Sequence, residues 1–75
     1  MPEEINLKTD HITLGQLLQI AEVIQTGGQA KWFLREHAGD ITVNGEPDNR
    51  RGRKLYPNDL VEIAGHGSYR LKAGH

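Results

Sequence analysis

The sequence contains no cysteine, which excludes disulfides and thiolate metal sites outright. That absence fits a reducing compartment, and a cytoplasmic location is expected. No apolar run approaches the roughly 18 residues that a membrane helix needs. The N-terminus shows no basic start followed by an apolar stretch, so no signal peptide is expected. Aromatic residues are scarce, with one Trp, one Phe and two Tyr among 75 residues. A chain of that length is expected to fold as one domain, 1–75, with a thin core that hides about 60% of the unfolded surface. Repeats and low-complexity runs are missing too, while Leu, Ile and Val recur in regular patterns, so wholesale disorder is not expected.

What is present is a charge asymmetry hidden by a formal net charge of −1. Residues 1–25 carry Glu3, Glu4, Asp10 and Glu22 against Lys8 alone, a net −3. Residues 26–54 carry Lys31, Arg35, Arg50, Arg51, Arg53 and Lys54 against Glu36, Asp40, Glu46 and Asp48, a net +2. A polyanion responds to that local field more than to the mean.

Local patterns place the elements. Ile5-Asn6-Leu7 is either a short strand or an ordered arm. Thr13 with Gln16 forms a capping box, and Ile12 with Leu17 a hydrophobic staple, so a first helix starts there. Leu14, Leu17, Leu18, Ala21 and Ile24 follow helical spacing. Ile20 and Val23 widen the stripe, which predicts burial on more than one side. Gly27 is expected to close this helix in the left-handed region. Thr26 with Gln29 offers a second capping box, opening a second helix over 28–38 with Ala30, Phe33, Leu34 and His37 or Ala38 facing inward. Ile41-Thr42-Val43 is a strand followed by the tight-turn signal Asn44-Gly45. Glu46 to Lys54 reads as exposed loop or irregular ribbon, Pro57-Asn58-Asp59 as a turn, Leu60 to Ile63 as a strand, and Tyr69 to Leu71 as a last edge strand. The predicted architecture is α+β, a helix-turn-helix-like pair on a small, mainly antiparallel twisted sheet.

The sharpest feature is Asn49-Arg50-Arg51-Gly52-Arg53-Lys54. Four of these six residues are cationic, and Arg presents a planar fork suited to phosphate oxygens. No nearby acidic run offsets their mutual repulsion, which favours a polyanion partner over a plain solvated loop. Lys31 and Arg35, at i and i+4, share one helix face. Trp32 beside them is expected in the core, the alternative being a platform for an unpaired base. The amides around Thr26-Gly27-Gly28 suit a phosphate or are simply a cap. His11, His37, His66 and His75 lack any paired-ligand spacing, so no metal is expected. Ser68 is expected in a plain turn, and Gly27-Gly28 lacks the lysine and hydroxyl of a phosphate-binding loop. No enzyme, cofactor or small-molecule substrate is expected.

Several of these runs, taken together, resemble a known family. Ile12-Thr13-Leu14-Gly15-Gln16-Leu17-Leu18, Thr26 to Leu34, Val43-Asn44-Gly45-Glu46, Asn49 to Leu55 and Tyr56-Pro57-Asn58-Asp59 are similar to the αL RNA-binding motif, the S-four domain. Within it the likeness is to the stand-alone YaaA-type proteins. It runs from about residue 10 to 64 and leaves 66–75 without assignment. The family's serine-arginine pair at the start of the second helix is here Gly27-Gly28. The resemblance implies a module that binds structured RNA such as ribosomal or transfer RNA, in association with ribosomes. Carried over residue by residue, it implies RNA contacts from Gly28, Lys31, Arg35, Asn44, Arg50, Arg51, Arg53 and Lys54. The competing reading is an adaptor that docks an acidic protein through the same loop.

Overall fold

The computed structural model describes residues 2–74; His75, the last of the four histidines, lies outside the described residues. Nine elements follow in chain order: β1 (Glu3–Leu7), β2 (Ile12–Thr13), α1 (Leu14–Ile20), α2 (Gly27–Glu36), β3 (Ile41–Val43), β4 (Glu46–Pro47), β5 (Lys54–Leu55), β6 (Leu60–Ile63) and β7 (Gly67–Ala73). Five strands form a sheet in the order β1-β7-β6-β3-β4. Only the β1–β7 pair is parallel, so the mainly antiparallel α+β prediction holds.

Alternation builds the core. Ile41 opposes Ile63, Val43 opposes Val61, and Val61 opposes Tyr69, all on one sheet face, because opposed residues of paired strands point the same way. Ile5 and Leu71, paired in β1 and β7, extend that face. It packs against Leu14, Leu17 and Leu18 of α1, Ile24 beyond it, and Ala30 and Leu34 of α2. Every one of these residues is buried.

The first capping signal acts as read, and the second acts through its glutamine. Gln16 N–H donates to the Thr13 hydroxyl at 3.2 Å, and Thr13 N–H donates to the Gln16 carboxamide oxygen at 2.8 Å. The Gln29 carboxamide oxygen accepts from the amides of Gln25 and Thr26 at 2.7 and 3.0 Å. At Asn44-Gly45 both φ angles are positive, +54° and +86°, which makes the β3–β4 connection a type I′ turn.

The structure corrects the sequence reading at α1 and at the sheet edges. The first helix stops at Ile20 rather than running to Ile24, and Gly27 opens α2 instead of closing α1. Glu22 takes the left-handed conformation, φ +61°. Val23 N–H then donates to Leu18 O at 2.9 Å and Glu22 N–H to Gln19 O at 3.0 Å, the bond pair of a Schellman motif. This turns the chain so that Ile24 is buried without being helical, while Ile20 is 51% exposed. The helical stripe is therefore narrower than the apolar spacing suggests. Helix α2 ends at Glu36, so His37 caps it instead of facing inward within it. The segment 69–71 is no edge strand: β7 lies inside the sheet, with β1 covering it. Of the two readings of Glu46 to Lys54, the irregular ribbon fits its ends, where β4 pairs with β3 and β5 with β2.

Glutamate in the left-handed region carries a steric cost that glycine avoids. Glu22→Gly should therefore raise stability by about 0.5–1 kcal/mol, the relief being offset in part by the extra freedom of glycine in the unfolded chain. Denaturant unfolding of the variant checks this; a lower midpoint would mean that Glu22 carries no strain.

Candidate nucleic-acid interface

The arginine loop has few apolar side chains to hold it, yet it is anchored at three levels. At its start, Asp48 is buried, its side chain only 7% exposed. Its carboxylate accepts from Arg50 N–H at 2.9 Å, from Arg50 Nε and Nη2 at 3.2 and 2.9 Å, and from Arg53 Nη1 at 2.6 Å. These bonds, led by the Arg50 side chain, hold the Asp48 carboxyl well below the usual carboxylate range against the opposing pull of burial. The same pairing raises the Arg50 guanidinium. The sequence offers no acidic run to offset the loop's cations, yet the single carboxylate of Asp48 takes two of them.

The loop's backbone is tied to α1. Leu14 N–H donates to Arg53 O at 2.8 Å and Gly15 N–H to Arg51 O at 3.0 Å. A helix leaves its first amides without internal partners, and here the loop supplies their acceptors. Beyond the loop, Ile12 pairs with Leu55 and Thr13 with Lys54, and Leu55 is fully buried. Gly15 permits the close approach: a Cβ there would lie 2.7 Å from Arg51 Cγ.

This anchoring brings part of the predicted set together. Lys31 and Arg35 of α2 and Arg51 of the loop line one groove with Asn49 and Leu34. No acidic side chain lines it. Arg51 also borders the adjoining cleft between α1 and α2, with Gln16, Gln19 and Gly27. Arg50 is 71% exposed at the loop's outer edge, and Arg53, at 29%, is turned inward to Asp48. Lys54 is exposed on β5. Two predicted residues stand apart from the groove. Gly28 is the second residue of α2 and lines neither cleft. Asn44 sits at the β3–β4 turn with its amide bound internally, Nδ2 donating to Asp59 Oδ1 at 3.0 Å and Oδ1 accepting from Leu60 N–H at 2.9 Å. Asn49, inside the basic run but not assigned a contact, lines the groove. Trp32, expected in the core, is 60% exposed. Ala30 and Leu34 already fill the inward face of α2, with Phe33 partly buried at its rim.

Among the described residues, no cluster of histidine and acidic side chains is placed to hold a metal. No described helix is long and apolar enough to cross a membrane.

The S4 domain family model matches residues 5–72. The chain belongs to the S4 domain family. The match reaches past the 10–64 of the sequence reading, so the second half of β1, from Ile5, and nearly all of β7 lie within it. The chain is also 59% identical over 71 residues to a Bacillus subtilis (strain 168) protein described as "Probable ribosome maturation protein RlbA", covering 95% of this chain and 97% of that one.

Two consequences of the anchoring are measurable. Asp48→Ala should lower stability by about 1.5–3 kcal/mol, the range for removing hydrogen bonds to charged groups. A carboxyl whose folded pKa is depressed stabilises the fold fully above its unfolded value and loses that contribution as pH falls toward the folded one. The gap between wild type and Asp48→Ala should hence be constant above about pH 4 and shrink below it; thermal unfolding from pH 7 to pH 2 reads this out, and a gap that widens in acid would contradict it. Gly15→Ala should leave the fold intact, since Ala suits a helix better than Gly, but push the Arg51 stem aside. The Arg51 Nε–Hε resonance should move in the variant; an unmoved signal would mean that Arg51 does not lie over Gly15.

Proposed function

We propose that this chain binds structured RNA, ribosomal RNA foremost and transfer RNA as the other candidate, through the cationic groove between α2 and the arginine loop. One observation carries the reading: Lys31, Arg35 and Arg51, from two separate segments, line a single groove with no acidic side chain. Three cations converging without a carboxylate form a site for phosphates. The fold membership supports RNA as the polyanion, and the relative's description as a ribosome maturation protein supports the ribosome as its setting.

In this reading the whole chain acts as one binding module in the cytoplasm and carries out no reaction of its own. Lys31, Arg35 and Arg51 meet phosphates directly, with Arg50 and Lys54 reaching the same backbone from the loop's outer edge. Gly28 lets a phosphate approach the first amides of α2. Arg53 and Asn44 act on the protein side, the first through Asp48 and the second through Asp59 and Leu60. Recognition rests on backbone and shape, as is usual for double-stranded RNA.

Each neutralised phosphate releases counterions, so affinity falls with salt in proportion to the number of phosphates neutralised. Replacing Lys31, Arg35 and Arg51 together by Ala should lower the slope of log affinity against log salt by roughly 0.7–0.9 for each phosphate that is no longer neutralised. Stability should hardly change, because exposed charges contribute little to folding. Titration of folded ribosomal RNA fragments at several salt concentrations measures this. Equal slopes for two folded proteins would reject the groove as an RNA site and favour docking of an acidic protein.

A further inference from the structure

We propose that Trp32 forms, with the hollow beside it, a stacking site for one unpaired nucleobase next to the phosphate groove. The proposal rests on the RNA-binding reading and adds a feature of the RNA: a base out of its helix, beside the segment whose phosphates the groove holds.

Helix geometry sets the neighbourhood. At about 100° per residue, the order around α2 away from the core runs Lys31, Arg35, Trp32, Glu36. The indole therefore borders the cationic stripe, and the Arg35 guanidinium lies over its ring at 5.9 Å from the centroid. On its other flank Trp32 lines a hollow with Val23, Ile24, Gln25, Phe33 and Glu36. The chemistry of this hollow differs from that of the groove. No cation lines it, and Glu36 would repel a phosphate. Val23, Ile24 and Phe33 offer apolar contact to a flat, uncharged ring, and the Glu36 carboxylate and Gln25 amide, part of the polar share of the lining, can pair with a base's exocyclic groups. Phosphate and base sites thus lie side by side on one helix, as a nucleotide's two halves require. Aromatic side chains are scarce in a chain of 75 residues with one tryptophan, yet this one is 60% exposed. Folding does not use its surface, and a base would.

Because Trp32 is the only tryptophan, its emission reports on this position alone. The full chain is titrated with an RNA hairpin carrying one bulged purine, the same hairpin fully paired, and inorganic polyphosphate. The bulged hairpin should quench Trp32; the paired hairpin should bind with little quenching, and polyphosphate should leave emission unchanged. Trp32→Ala should weaken binding of the bulged hairpin by about five- to a hundredfold, the range that one stacked base contributes. Binding of the paired hairpin should scarcely move, and Trp32→Phe should keep most of the affinity for the bulged one. Circular dichroism checks that both variants fold. Emission unmoved by the bulged hairpin, or equal weakening on both hairpins, overturns the base site. If both hairpins still bind with a salt slope that Arg51→Ala lowers, the phosphate groove stands and only the base site falls. If neither hairpin binds, the RNA reading fails with it. Quenching by a ribosomal protein but by no hairpin also overturns the base site and assigns Trp32 to a protein partner.

Discussion

The docking of the arginine loop onto the start of α1 is the constraint on which the rest of the interface depends. Residues 49–54 hold no apolar side chain, so burial cannot position them. Hydrogen bonding does so instead. The first amides of α1 need acceptors, and the carbonyls of Arg51 and Arg53 need donors. Joining them satisfies both sets and ties the loop to a helix whose Leu14, Leu17 and Leu18 are fully buried. The loop inherits the rigidity of the core through that contact. Gly15 is part of the device, because only a residue without a Cβ lets Arg51 lie so close. Arg51 thereby faces α2, which packs on α1.

Asp48 solves the electrostatic half of the same problem. Four cations within five residues repel one another, and a loop with that charge would extend into solvent. One buried carboxylate draws Arg50 and Arg53 to itself by charge-assisted bonds, the strong class of hydrogen bond, and bends the chain between them. It lowers the loop's charge by one and fixes its shape in return. The carboxylate turns Arg53 inward and sets Arg50 at the edge, while Arg51, lying between them in sequence, is directed into the groove. A net charge of −1 is compatible with polyanion binding because the acids of residues 1–25 belong to other surfaces, such as β1, where Glu4 pairs with Lys72.

How much of this is legible in the sequence follows from the range of each interaction. Both capping boxes and the Asn44-Gly45 turn can be read directly because each is complete within four residues. The antiparallel strands β3 and β6 follow from alternation, and the family resemblance follows from runs that combine such local signals. The end of α1 does not follow, because a glutamate, not the nearby glycines, takes the left-handed position, and no local rule favours Glu22 there. The rank of β7 is equally hidden, because its place between β1 and β6 depends on a strand more than sixty residues away in sequence. Asp48 is visible as a charge but not as an anchor, since its partners at i+2 and i+5 fit neither helical nor strand spacing. Lys31 and Arg35 converge with the loop as their common helix face suggests; that Arg51 alone of the loop's cations lines their groove depends on the tertiary contacts with Gly15 and Asp48.

Trp32 shows how a thin core sorts its apolar residues. The inward face of α2 needs small or aliphatic groups close to α1, and Ala30 and Leu34 fill it completely. A bulkier ring at either place would force the helices apart in a domain whose sheet offers a single packed layer. Phe33 therefore lies at the rim, its ring near those of His37 and His66, and the indole one position earlier is turned outward. Exposing so large a side chain forgoes a burial worth about 1.5–3 kcal/mol for a large apolar group. The fold does not recover that energy elsewhere on α2, whose outer face otherwise carries Lys31, Arg35 and Glu36. The same rotation that keeps Trp32 out of the core puts it against Arg35, at the border between the cationic stripe and the cation-free hollow beside Phe33. The requirements of packing α2 on α1 thus set the charged and aromatic surfaces side by side, before any ligand is considered.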